Sequence, residues 1–278
     1  VLTQLYMFKK EYEKCLDVFE YGLKRKAVYP IFPSGSYWQP LANNERFKKI
    51  VEENNRLRAE FTAKTTPTFE ILTPAALASE IKYPLFIVLH GWNECLTDIN
   101  KYWQTEMIKT GIILVFIQSS QVVSSQKFGW DDTALARKDI KEILEKIVDK
   151  YPVDTAKMII GGFSQGGMTA LDIAAANVIP TKGFFALSPG GPLPADFNVE
   201  NLTKARQRGL RGTIIIRELD KTIKEKIELE KILQQAEFPC RYIVSQDQRW
   251  YPADFAKQLD AALVDILEKG TAPAADEK

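Results

Sequence analysis

Apolar positions change their period once along this chain, and the change divides it in two. From Leu2 to Lys26 the spacing predicts a short helical pair broken near Lys9 and Lys10, with Tyr12, Cys15, Leu16, Phe19 and Leu23 along one face. A stretch rich in Pro, Gly and aromatics from Tyr29 to Pro40 interrupts the helical pattern, which Phe47, Ile50, Val51, Leu57 and Phe61 restart. After Pro67, strand-like runs alternate with helical ones: Phe69–Leu72, Leu85–Leu89, Ile112–Ile117, Met158–Ile160, Gly183–Leu187, Thr213–Ile216 and Arg241–Val244. Such alternation predicts an α/β domain, a mostly parallel, doubly wound sheet with helices on both faces. Asp132 is placed to cap a helix that turns Ile140, Ile143, Leu144, Ile147 and Val148 inward, with Pro152 after its end. Two further helices are expected over Thr222–Ala236 and Pro252–Leu267. The resulting division is a helical N-terminal extension over 1–66, the α/β domain over 67–269 and a loose tail over 270–278.

Composition narrows the function classes. With 37 Lys and Arg against 36 Asp and Glu, the net charge of +1 provides no field to attract nucleic acid or an anionic membrane. The longest apolar runs, Leu85–Leu89 and Ile112–Ile117, fall far short of the roughly 20 residues that span a bilayer, so no membrane span is expected. Cys15, Cys95 and Cys240 are odd in number and widely spaced, which fits the reduced thiols of a cytoplasmic protein better than a disulfide or zinc framework. With His90 as the single histidine, neither a metal nor a cofactor is expected. The chain starts without Met or a signal-peptide pattern, so the expectation is a start inside a longer precursor.

Chemistry concentrates in Met158–Met168, where an apolar strand runs into Gly162-Phe163-Ser164-Gln165-Gly166 and then into a helical stretch of small residues. Flanking glycines permit the tight strand-to-helix turn that lifts a nucleophilic hydroxyl above the sheet, and the helix N-terminus favours developing negative charge. Leu85-Phe-Ile-Val-Leu-His90-Gly91-Trp92 is a second buried strand. The loop after it would supply one oxyanion N–H, from Gly91 or Trp92, with Gln165 supplying the other. His90 reads as a brace for that loop rather than as a base.

Five ordered motifs make residues from about Phe69 to Leu267 similar to the phospholipase/carboxylesterase family of α/β-hydrolases, which includes acyl-protein thioesterases. They are Leu89-His90-Gly91, Ile117–Gln121, Trp130-Asp131-Asp132, Gly162–Gly167 and Ala186–Gly191. The resemblance implies the α/β-hydrolase fold, Ser164 as nucleophile and an acid at Asp220 in the turn Arg217-Glu218-Leu219-Asp220. The family's base would be a histidine where this chain reads Gln248-Arg249-Trp250-Tyr251-Pro252, so Arg249 stands in its place. The helical extension lies outside the resemblance. Its order Tyr12, Cys15, Phe19, Gly22 is similar to the second helix of one tetratricopeptide unit, which makes a docked protein partner one expectation and plain helix packing the other.

A guanidinium with a pKa above about 12 neither accepts the serine proton nor protonates a leaving group at neutral pH. Two readings follow. The first is an impaired serine hydrolase, a pseudoenzyme that binds a small-molecule ester or anionic ligand or serves as a scaffold. The second is an active ester or thioester hydrolase that uses Ser164 with an unconventional base, His90 and Asp247 being the candidates. Arg217 replaces the glycine that the family's acid turn would hold, and two readings follow for the arginines: a pair between Asp220 and Arg249 that joins the two loops, or two unrelated surface arginines. Among aromatics near loop ends (Trp92, Trp130, Trp250 and Tyr251), Trp250 and Tyr251 are the expected pocket residues, since they adjoin the base position.

Overall fold

The computed structural model describes residues 2–32, 35–78, 80–221 and 223–268. Three helices open the chain: α1 (Leu2–Phe8), α2 (Tyr12–Leu23) and, after a 3-10 turn over Ser36–Leu41, α3 (Glu45–Thr62). Their apolar faces meet in a core of their own, with Leu16, Phe19, Trp38, Phe47 and Leu57 buried together. Asn44 starts α3 by accepting the Phe47 N–H at 3.1 Å. Outside this core, Arg46 gathers Glu13, Asp17 and Glu20 of α2 and ties α3 to it.

The α/β domain follows in the order β1 (Thr68–Leu72), β2 (Tyr83–Leu89), α4 (Leu96–Ile99), α5 (Glu106–Gly111), β3 (Ile113–Gln118), β4 (Gln121–Ser124), β5 (Lys127–Gly129), α6 (Thr133–Lys150), β6 (Val153–Phe163), α7 (Gln165–Ala175), β7 (Gly183–Leu187), α8 (Val199–Gln207), β8 (Arg211–Arg217), α9 (Lys224–Gln235), β9 (Cys240–Ser245) and α10 (Phe255–Glu268). Among the described residues seven strands form one sheet in the order β1-β3-β2-β6-β7-β8-β9, with β1 antiparallel at the edge and the remaining pairs parallel. Alternation along β2 serves both faces. Leu85, Ile87 and Leu89 pack with Ile140 and Ile143 of α6, Leu171 of α7 and Leu229 of α9. Phe86 and Val88 pack on the other side with Trp103, Ile108 of α5 and Leu259 and Leu263 of α10. The crossovers therefore cover the sheet on both sides, and the strand ends that carry Ser164 and His90 meet at one edge.

Local details refine the sequence expectations. The strand expected over Met158–Ile160 begins five residues earlier, at Val153, because it also pairs with the start of β2 through Tyr83. Asp132 caps α6 by accepting the Leu135 N–H at 3.0 Å. The helix expected from Pro252 begins at Phe255, after a turn. The helix expected from Thr222 begins at Lys224; Thr222 itself and the expected tail over 270–278 lie outside the described residues. Among the described residues no helix is long and apolar enough to cross a membrane, and no group of three or more His, Cys, Asp or Glu is placed to hold a metal ion.

Candidate active site

Ser164 sits between β6 and α7 with φ +52° and ψ −119°, a conformation that costs a non-glycine residue about 1–3 kcal/mol. The surroundings enforce it. The Ser164 N–H donates to the Leu187 carbonyl at 3.0 Å, and its own carbonyl accepts the Gly190 N–H at 2.8 Å. Gly166 fits because it has no side chain: a Cβ there would stand 2.3 Å from the Leu89 carbonyl oxygen and 2.4 Å from that of His90. The hydroxyl faces Gly190, where a Cβ would approach Ser164 Oγ to 3.0 Å.

Of the three expected oxyanion donors, Gly91 is already committed, because its N–H donates to Glu94 Oε2 at 2.7 Å. Burial raises the Glu94 pKa, and this hydrogen bond opposes that rise. The backbone N–H groups of Trp92 and Gln165 carry no hydrogen bond among the described residues, so two donors remain, the second at the α7 N-terminus. One carboxylate holds both side chains in place. Asp131 Oδ1 accepts the Gln165 amide at 2.8 Å, and its Oδ2 accepts the Trp92 indole N–H at 3.5 Å and Arg58 Nη2 of α3 at 2.6 Å. Gln165 Oε1 in turn accepts the Trp130 N–H at 2.7 Å.

His90 is fully buried and has both ring nitrogens engaged. Nε2 accepts the Ser119 N–H at 3.2 Å, which leaves Nδ1–H to donate to the Gly91 carbonyl at 2.7 Å. Burial lowers its pKa to about 4, so the ring is neutral at pH 7. The Trp130 indole donates to the His90 carbonyl at 2.9 Å. The residue braces the loop that carries Gly91 and Trp92.

Asp220 and Arg249 do not meet, which corrects the pair expected from the sequence. Asp220 is bound edge-on by Arg217, three residues before it, through bonds of 3.0 and 2.8 Å. The same guanidinium lies over the Trp250 indole, 3.5 Å from its centroid. Arg249 points to solvent and closes on Asp247 at 2.6 Å. That guanidinium, with the N–H groups of Arg249 and Ala253, holds the Asp247 carboxyl well below the usual carboxylate range. Asp220 thus pairs with Arg217, and the arginine expected beside it pairs with Asp247 instead.

The pocket expectation also changes. A cavity of about 720 Å³ opens beside Ser164, and Trp250 and Tyr251 are not among its described lining residues. Trp250 is half exposed against Phe163, while Tyr251 stacks on Tyr102 at 3.9 Å and accepts the Trp103 indole N–H at 3.3 Å. The cavity is walled instead by Trp92, Trp130, Met168 of α7 and Leu193 in the loop after β7. Ile31, Phe32, Asn55 and Arg58 close it from the helical extension. Asp131 was visible within the Trp130-Asp131-Asp132 motif, whereas Arg58 lies on an amphipathic helix with nothing in its spacing to mark it.

Comparison with known proteins agrees with this architecture. Residues 129–210, which include Ser164, Trp130 and Asp131, match the family model described as Phospholipase/Carboxylesterase. An uncharacterized protein from Bacillus cereus ATCC 10987 superposes with a TM-score of 0.60 at 24% identity, over 96% of this chain and 86% of that one. Est1E from Butyrivibrio proteoclasticus with ferulic acid bound does so at 0.54 and 16% identity, over 73% of this chain and 95% of its own. Esterase PE8 gives 0.54 at 20% identity, over 73% of this chain and all of its own. No curated protein matches the sequence. The chain has the α/β-hydrolase fold and resembles the carboxylesterase-like hydrolases in sequence and architecture.

Proposed function

We propose that this carboxylesterase-like α/β-hydrolase chain binds a small carboxylic ester or carboxylate beside Ser164 without turning it over through Ser164. The carrying observation is that His90, the single imidazole of the chain, is buried with both nitrogens hydrogen-bonded, while Arg249, which the resemblance puts in place of the family's histidine, points to solvent. General-base assistance contributes roughly 10²–10⁴ in rate, whereas an oxyanion hole and binding alone sustain about 10³–10⁴ over water. Binding thus outlives the loss of the base. Three free cysteines support a reducing, cytoplasmic setting.

One observation favours a second reading, slow Ser164-dependent acyl transfer: the strained backbone of Ser164 is kept, although a binding protein has no need of it. Hydrolysis of a short-chain p-nitrophenyl ester by the protein and by Ser164→Ala at neutral pH separates the two. Equal rates are expected. Turnover that disappears with Ser164→Ala would overturn the first reading in favour of the second.

A further inference from the structure

One wall of the cavity comes from outside the hydrolase fold. Phe32, between α2 and the 3-10 turn, stands edge-on to Trp92 with centroids 6.2 Å apart and is 57% exposed at the cavity mouth. Arg58 of α3 is well covered and donates to the Val122 carbonyl at 2.9 Å as well as to Asp131. Asp131 is also the carboxylate that holds the Gln165 amide and the Trp92 indole, the side chains of the two residues whose backbone N–H groups are free. The helical extension therefore reaches the site twice, as an aromatic wall and through an ion pair that anchors both donors.

Resting on the binding reading above, we propose that the helical extension is a working part of the ligand site, in which Phe32 selects ligands with an aromatic body and Arg58, through Asp131, is a positioning residue for Gln165 and Trp92. A flat ring placed among Phe32, Trp92 and Trp130 gains edge-to-face contacts beyond the area it buries, and an alkyl chain of the same size does not. Without Arg58, Asp131 loses its only charged partner within hydrogen-bond distance among the described residues and no longer holds the two donor residues in register.

The test is calorimetric titration of the full chain with 3-phenylpropanoate and with octanoate, two carboxylates of similar size. The chain should favour 3-phenylpropanoate by about two- to tenfold, and Phe32→Ala should bring the two affinities together. Phe32 is largely exposed, so this variant does not endanger the fold. Arg58→Ala should weaken both ligands alike and keep the aromatic preference, with Arg58→Lys recovering part of the loss; circular dichroism establishes that these variants are folded. Gly190→Leu, which crowds Ser164 Oγ, serves as the blocked site. If the unmodified chain binds neither carboxylate, or Gly190→Leu binds them equally well, the binding reading falls and this proposal with it. If binding is present and blocked by Gly190→Leu but the preference survives Phe32→Ala, or Arg58→Ala binds as the unmodified chain does, the reading stands and the proposal is overturned.

Discussion

Ser119 donates its backbone N–H to Nε2 of His90 at 3.2 Å, and that bond takes up the ring nitrogen left over once Nδ1–H has gone to the Gly91 carbonyl. In a working serine hydrolase one imidazole nitrogen must face the nucleophile and the other an acid. Here both are spent on backbone, one just after β2 and the other just after β3, so the imidazole ties the loop that carries Gly91 and Trp92 to the end of β3. The same burial makes it a determinant of stability.

That role has a pH signature. The folded pKa of His90, about 4, lies below the ordinary value of 6.5, so between those limits the unfolded chain binds a proton that the folded chain does not. The His90 contribution is complete above pH 6.5, is lost progressively as pH falls toward 4 and changes no further below that. The total is about 3 kcal/mol, at about 1.4 kcal/mol per pKa unit. Urea denaturation of the protein and of His90→Gln at pH 7, 5.5 and 4 should show the stability gap between them narrowing on acidification. A constant gap would contradict the assignment.

The acid and base positions yield a second prediction. Arg249→His alone should restore little ester hydrolysis, because Arg217 occupies both oxygens of Asp220 and an introduced histidine would find its acid already taken. Combined with Arg217→Gly, it should raise Ser164-dependent p-nitrophenyl ester hydrolysis by roughly 10² or more, within the range of general-base assistance. A single Arg249→His variant as active as the double one would show that Arg217 is no obstacle.

Much of this was legible beforehand, for identifiable reasons. Strand alternation and the order of the motifs led to the sheet, and the glycines around Ser164 led to the elbow, because both are local backbone requirements. The single histidine, His90, raised the expectation of an incomplete triad without any geometry. What could not be read was side-chain direction. The pair read from the sequence was Asp220 with Arg249, yet a 3-10 turn over Glu218–Asp220 brings Arg217 alongside while Asp247 captures Arg249. Tyr251 adjoins the base position in sequence, but its ring turns inward to Trp103 and Phe255. Ile31, Phe32 and Arg58 reach the cavity only through docking of separate elements, which leaves no periodic trace in the sequence.

Loss of Arg217 should be felt in stability as well. Asp220 is 6% exposed, and Arg217→Ala would leave its carboxylate without its two hydrogen bonds while also uncovering the Trp250 ring. Breaking a largely buried pair from one side costs about 3–5 kcal/mol. Trp250→Ala keeps the ion pair and removes only the cation–π contact and partial burial, for about 1 kcal/mol. Chemical denaturation at pH 7 should rank Arg217→Ala well below Trp250→Ala, and the reverse order would mean that the indole rather than the ion pair secures this corner.

Gly166→Ala tests how tightly the turn at Ser164 is seated on the loop after β2. The new methyl would meet the carbonyl oxygens of Leu89 and His90 at 2.3 and 2.4 Å, and these are backbone atoms at and just past the end of the interior strand β2 rather than movable side-chain tips. Relief requires α7 to back away from β2, which moves the Gln165 N–H relative to that of Trp92. The expected cost is at the upper end of overpacking, about 3 kcal/mol, together with loss of carboxylate binding. Gly111→Ala at the end of α5 is the matched control: a Cβ there has nothing within 4 Å, so its stability should change by less than about 1 kcal/mol with binding intact. If Gly166→Ala behaved like Gly111→Ala in both measurements, the close approach of α7 to β2 would not be what holds the two donors together.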